Sequence, residues 1–225
     1  MGRLQCKESN LRRITMKLLN RPLYLVTDHT GLDEADFLQQ IDLACEAGVS
    51  LLQLREKDRS SREIYDWAVK VKEIADRHKI PLIVDDRLDI AQAVDAAGVH
   101  LGQRDLPVDV ARRILGPRKI IGATAKTLKQ AKLAEQMGAD YLGTGAIFPT
   151  QTHVKTVHTS VETLAKIKEA VQIPVYAIGG LKADNVAAIK PAHVDGVAVV
   201  SAIMRAKNAW AATSELLSAI EDAIG

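Results

Sequence analysis

Aromatic residues are scarce in this chain, 4% of 225 positions, so its interior must be filled by alanine, valine, leucine and isoleucine. That favours closely layered helices and strands over a core organised around large rings. Cysteine occurs only as Cys6 and Cys45, which make no metal spacing and no disulfide framework, as suits a reducing cytosol. Neither sign of charge is in excess. The formal net charge of +2 argues against nucleic-acid or membrane-surface binding by bulk electrostatics, so any anion site must be local. Hydrophobic residues reach 47%, yet no apolar run is long enough to cross a bilayer. The expectation is a cytoplasmic protein whose partners are small molecules, with a homo-oligomer left open.

The first residues, "MGRLQCKESNLRRIT", lack the apolar run and small-residue cleavage site of a secretory signal. Residues 1–21 are expected to be an N-terminal extension or a short helix, and residues 22–225 one domain. Met16 opens "MKLLNRPLYLVTD", so an upstream start and an extra helix are both open.

From Leu23 onward two textures alternate. Short β-branched runs occupy 23–28, 51–57, 81–86, 99–103, 120–126, 141–147, 174–180 and 196–203. Between them lie amphipathic stretches such as "SREIYDWAVKVKEIADRHK", whose Ile64, Trp67, Ala68, Val71 and Ile74 share one helical face. Gly48, Gly98, Gly116 and Gly138 stand where helices would end in a left-handed cap. Asp33, Ser60, Pro107, Thr127 and Ser160 stand near helix starts. Strand–helix alternation implies right-handed crossovers and a parallel sheet covered on both faces. Eight units in this length predict a single-domain α/β fold, the (β/α)8 TIM barrel. An open doubly wound sheet is the competing reading, because periodicity does not show closure.

In such a barrel the chemistry sits at the C-terminal ends of the strands. Those ends carry Arg55, Glu56 and Lys57, then Asp85 and Asp86, Asp105, Thr124, a Thr150–His153 segment, Gly179–Gly180 and Ser201. Gln53, Arg55 and Lys57 alternate, which places them on one side of the strand. Asp86 and Asp105 follow adjacent strands and could hold a divalent cation, which often takes one or two carboxylates plus phosphate and water. The plainer reading of Asp86 is a helix cap, and of Arg55 and Lys57 a salt-bridge cluster with Glu56 or Asp28. Gly179–Gly180 and Val200–Ser201 lie where barrels commonly bind phosphate. The run "GTGAIFPTQTH" leaves its strand through Gly143 and Gly145 and offers Thr150 and Thr152 to an anion.

Six ordered blocks, "YLVTD", "LLQLREK", "IVDDRLDIAQAVDAAGVHLGQRDLP", "GADYLGTGAIFPTQT", "PVYAIGG" and "GVAVVSAI", together resemble the thiamine phosphate synthase family. The resemblance implies a (β/α)8 barrel that condenses 4-amino-2-methyl-5-hydroxymethylpyrimidine diphosphate with a thiazole phosphate, releasing pyrophosphate with Mg2+ present. It implies that Gln53, Leu54, Arg55, Glu56 and Lys57 contact the pyrimidine diphosphate, with Arg55 and Lys57 on its phosphates. Asp85 stands where many members have Asn, directed at the same substrate, and Thr124 where a Ser often touches the pyrimidine side. Arg55, Lys57 and Thr124 form the implied catalytic set, and Asp86 and Asp105 the implied Mg2+ ligands. Thr150, Gln151 and Thr152 would hold the thiazole phosphate, with Gly180, Val200 and Ser201 as further contacts.

His153 departs from the family pattern, which has Lys there for the diphosphate. Either His153 or Lys155 could serve instead. His153→Lys is expected to keep or improve activity and His153→Ala to weaken diphosphate binding. Three rival readings are a thiazole tautomerase on the same barrel, a Schiff-base aldolase using Lys57 or Lys126, and a non-enzymatic sensor of phosphorylated ligands. His100 and Tyr141 are expected to be packing or edge residues, Trp67 and Trp210 to fill core or interface gaps, and Cys45 to be a small apolar filler.

Overall fold

Eight short parallel strands close into a barrel in chain order. They are β1 (Leu23–Val26), β2 (Leu51–Leu54), β3 (Leu82–Asp85), β4 (Gly98–Leu101), β5 (Ile120–Thr124), β6 (Tyr141–Gly145), β7 (Val175–Ile178) and β8 (Gly196–Val199). The computed structural model describes residues 22–150 and 158–224. Pairing of β1 with β8, Leu23 against Val197, seals the ring and replaces the open-sheet alternative. The helices are α1 (Glu34–Ala47), α2 (Ser61–Arg77), α3 (Leu88–Ala93), α4 (Val108–Leu115), α5 (Leu128–Gln136), α6 (Val161–Ala170), α7 (Ser201–Met204) and α8 (Ala209–Ile224). A 3-10 helix at Val186–Ala192 replaces an α-helix after β7.

Local chemistry explains where the helices begin. Asp33, Ser60, Thr127 and Ser160 each accept a hydrogen bond from a first-turn backbone N–H. Ser60 and Glu63 complete a reciprocal capping box, and such caps contribute roughly 1 kcal/mol each. Pro107 occupies the N-cap position of α4 without a side-chain bond. Gly48 closes α1 and Gly116 closes α4, both at positive φ. Gly98 is different: it opens β4, and a Cβ there would lie 1.8 Å from Ile120 O. Close approach of β4 to β5, not helix termination, is what requires glycine at that position.

Strands end one to four residues earlier than their apolar texture suggested, leaving most of the polar tips in loops. The tips are tied by other means: Arg55 N–H donates to Thr27 Oγ1 at 3.1 Å, and Asp86 N–H donates to His100 O at 2.9 Å.

Alternation along each strand builds two cores. Outward residues such as Leu25, Leu52, Val84, Val99, Ile121 and Leu142 pack under the helices. Inward residues include Tyr24, Leu51, Ile83, Ile120, Tyr141, Tyr176 and Ala198. Three of the chain's four tyrosines therefore fill the lumen, edge-on to one another with centroids 5.5–5.7 Å apart. Gly122 and Gly196 face two of these rings, where a Cβ would come within 2.1 Å of Tyr141 and 2.6 Å of Tyr176. Trp67 is buried on α2, whereas Trp210 is 46% exposed and fills no core gap. Cys45 is buried, and burial pushes its thiol up to about 12, which suits an inert filler. Among the described residues no helix is long and apolar enough to cross a membrane.

Candidate active site

The segment after Leu51 sends alternate side chains to opposite sides of the barrel wall. Gln53 enters the lumen, where its Nε2 donates to Tyr24 Oη. Lys57 reaches across to β3, its Nζ lying 2.5 Å from Asp85 Oδ2 and also bonded to Asp86 Oδ2. Arg55 and Lys57 line a cavity of about 250 Å3 with Asp28, His29, Thr30, Asp58 and Arg205. Arg205, just past α7, pairs with Asp28 at 3.1 Å.

Leu54 and Glu56 point the other way. Leu54 packs in the helix-facing core, so its backbone alone is left for a ligand. Glu56 is buried and accepts from Arg59 Nε at 3.1 Å, while His29 Nδ1 lies 2.8 Å from the same oxygen. Arg59 in turn stacks on Trp67, 4.0 Å from the ring centroid. Burial raises the Glu56 carboxyl despite His29 and Arg59. Its side chain clamps the second loop to α2 rather than facing the mouth.

Asp86 is not the cap of α3; Arg87 holds that position. Asp86 adopts φ 51, a left-handed conformation that Asp tolerates better than most residues. Asp105 is aimed by its own loop, accepting from Gly102 N–H at 2.7 Å. Burial raises the carboxyls of Asp85 and Asp86, Lys57 opposes that, and the nearby Asp105 charge adds to it. Burial also works against the charge on Lys57, but Asp85 and Asp86 outweigh it and hold the ammonium above its usual value. A Schiff-base lysine needs the reverse, a depressed pKa.

Among the described residues no three His, Cys, Asp or Glu side chains are arranged to enclose a metal ion alone. The donor set still fits Mg2+, which takes hard oxygen ligands and completes its shell with water and phosphate. The Lys57 ammonium already stands in as a cation between two carboxylates. Asp86 and Asp105 would supply protein oxygens to such an ion.

Below the charged rim lies a buried polar row. Tyr24 Oη and Tyr141 Oη are 2.7 Å apart, Tyr141 Oη is 3.1 Å from His100 Nδ1, and His100 Nε2 is 2.9 Å from Thr124 Oγ1. His100 is therefore no edge residue. Burial drives its pKa down to about 4, with Asp105 opposing and Lys57 assisting. Tyr24 and Tyr141 are held above the usual phenol range, chiefly by burial.

The late strands bring Gly180, Val200 and Ser201 to the same end of the barrel, all half-buried. Gly179 and Gly180 have φ of 102° and 66°. A Cβ on Gly180 would come 2.6 Å from Pro149 O, so this pair lets the β7 loop press against the β6 loop. Gly145 serves the same closeness, since its Cβ would meet Ile178 O at 1.8 Å. Thr150 ends the described part of the β6 loop, half-buried. Gln151, Thr152, His153 and Lys155 lie outside the described residues, as does the N-terminal extension 1–21.

The sequence reading gave His100 and Tyr141 only a packing or edge role and did not name Tyr24 or Arg205. A usable signal existed for the first three: each polar or aromatic side chain occupies an inward position in an otherwise aliphatic strand.

The family model described as thiamine monophosphate synthase matches residues 23–203. Thiamine-phosphate synthase 2 of Streptococcus pneumoniae is 48% identical over 200 residues, covering 89% of this chain and 95% of that protein. The thiamine-phosphate synthase of Enterococcus faecalis is 50% identical over 185 residues, covering 82% and 87% respectively. Among solved structures, thiamine phosphate pyrophosphorylase from Pyrococcus furiosus has a TM-score of 0.83 at 39% identity, covering 92% of this chain and 99% of that one. Likeness of this extent in both sequence and fold places the chain: it belongs to the thiamine monophosphate synthase family.

Proposed function

We propose that this chain, a transferase by family, joins 4-amino-2-methyl-5-hydroxymethylpyrimidine diphosphate to hydroxyethylthiazole phosphate, giving thiamine phosphate and pyrophosphate. The observation that carries the reading is Lys57 held between Asp85 and Asp86 beside Arg55. Cations and carboxylates converge there on one rim, as binding of a metal-neutralised diphosphate requires.

Breaking the CH2–O bond leaves negative charge on the departing diphosphate and positive charge on the aminopyrimidine methylene. Arg55 and Lys57 bind and neutralise the first. The electron-rich ring stabilises the second, so the displacement is dissociative and no protein nucleophile is needed. When bound by Asp86 and Asp105, Mg2+ would supply further charge neutralisation to the leaving group. Thr150, Gly180, Val200 and Ser201, with Gln151 and Thr152, would hold the thiazole phosphate so that its ring nitrogen approaches the methylene in line. His153 or Lys155 would add a cation at the diphosphate. On this reading the partners are two small molecules and Mg2+, and the setting is the cytoplasm.

The test is pyrophosphate release on mixing the purified chain with both substrates, with and without EDTA. Release that requires both substrates and stops with EDTA is expected. Absence of thiamine phosphate under every divalent cation tried would refute the proposal.

A further inference from the structure

Five side chains from five strands touch in sequence across the lumen: Gln53 (β2), Tyr24 (β1), Tyr141 (β6), His100 (β4) and Thr124 (β5). Of its two ends Gln53 is buried and Thr124 half-buried, and both belong to the set that the family resemblance implies meets the pyrimidine substrate. In the middle, Tyr24 and Tyr141 are closed off from water and His100 is half-buried. Hydrogen-bond bookkeeping then restricts where each proton lies. Gln53 presents Nε2 to Tyr24 Oη, and an amide nitrogen donates without accepting. Tyr24 therefore accepts there and gives its own hydrogen to Tyr141 Oη, 2.7 Å away. Tyr141 passes its hydrogen to His100 Nδ1 at 3.1 Å. An imidazole that accepts at Nδ1 carries its proton on Nε2, and that proton faces Thr124 Oγ1 at 2.9 Å. Thr124 accepts from the ring, so its own hydroxyl hydrogen is the one it can offer to a ligand. At the opposite end, the Gln53 carbonyl oxygen is the atom left to accept.

We propose that Tyr24, Tyr141 and His100 act as positioning residues, a one-way row that fixes Gln53 as acceptor and Thr124 as donor toward the bound pyrimidine diphosphate. The idea rests on the function proposed above and adds residues to it. The substrate is complementary in kind: its exocyclic amine donates, while its ring nitrogens and phosphate oxygens accept. Glycines at Gly122 and Gly143 leave room for the row, since a Cβ would come within 2.1 Å of Tyr141 at the first and 3.2 Å of His100 at the second. Reversing one member reverses all of them, because a phenol between two partners can change its donor direction only if both neighbours do so.

Two measurements on the full chain test this. In ring-15N NMR at pH 7, with His100 assigned through cross-peaks to Tyr141 and Thr124, a neutral ring protonated on Nε2 is expected. A ring protonated on Nδ1, or on both nitrogens, would overturn the direction. The second is Tyr141→Phe, which keeps the aromatic packing and removes the link to His100. It should lower kcat/KM for the pyrimidine diphosphate about tenfold, the worth of one hydrogen bond, while KM for the thiazole phosphate stays unchanged. An unaltered kcat/KM, or an equal loss for both substrates, would overturn the positioning role. Wild-type protein that makes no thiamine phosphate sinks the functional reading instead, and the NMR result, obtained without turnover, still decides the row.

Discussion

Acid should loosen this protein through a single imidazole before most of its carboxylates titrate. The pKa of His100 is lowered from 6.5 to about 4 in the folded chain. Its neutral form is therefore the one the fold favours, and the unfolded chain takes up the proton first as pH falls. The contribution is present in full above 6.5 and is lost as pH drops from there toward 4. Between pH 7 and pH 5 linkage gives a loss of about 2 kcal/mol. That figure is an upper bound, because the ring is partly accessible from the mouth. For a chain of this size it corresponds to roughly 4–8 °C in Tm. Melts followed by circular dichroism from pH 5 to pH 8, with EDTA, would compare the wild type with His100→Asn, whose side chain does not titrate. Whatever the variant's starting Tm, that Tm should change less with pH. Asp85, Asp86 and Glu56 sit above their usual range and push the other way, yet they are present in both proteins and drop out of the difference. Parallel pH profiles for the two proteins would refute the assignment of this proton to His100.

Lys57→Met should strand Asp85 and Asp86 without their cation, lowering kcat/KM for the pyrimidine diphosphate by roughly 100-fold, about 2.7 kcal/mol; steady-state kinetics at saturating thiazole phosphate reads this directly. Asp105→Asn keeps an acceptor for Gly102 N–H but removes a charge, so the Mg2+ concentration for half-maximal activity should rise by roughly tenfold or more with little change in Tm. Because burial raises Asp85 and Asp86, Mg2+-dependent pyrophosphate binding should begin to weaken on acidification above the ordinary carboxylate range, as titration calorimetry across pH 4–7 would show. Gly98→Ala would drive a methyl group into Ile120 O and should destabilise the chain by ~2 kcal/mol or more, in the range of overpacked cores, measured by urea melts.

The eight-unit rhythm was legible because buried parallel strands are uniformly apolar and the helices between them are not. Closure followed from the count of eight units and from the family resemblance, since no local pattern distinguishes a sheet that meets itself from one that stays open. The ends of strands were drawn too long: Arg55 to Lys57 continue an alternating texture after the ladder has stopped at Leu54. Gly98 resembled a helix terminator because it follows Ala96–Ala97, whereas the constraint comes from β5, a strand away in sequence. Alternation correctly separated Gln53, Arg55 and Lys57 from Leu54 and Glu56, and so foresaw which charges reach the rim. His100 and Tyr141 were given only packing or edge roles because their further importance lies in one another and in Tyr24, 117 positions from Tyr141. No short window contains that relation.

The two-sided segment at positions 53–57 ties what the enzyme grips to how its outer jacket is fastened. A change that shifts α2 through Glu56, Arg59 or Trp67 is transmitted by one peptide unit to Arg55 and Lys57. Selection for thermal robustness and selection for a new substrate would therefore compete for the same five codons. Combinatorial libraries should vary 54 and 56 together with 53, 55 and 57, since gains found at one set alone are not expected to survive changes in the other.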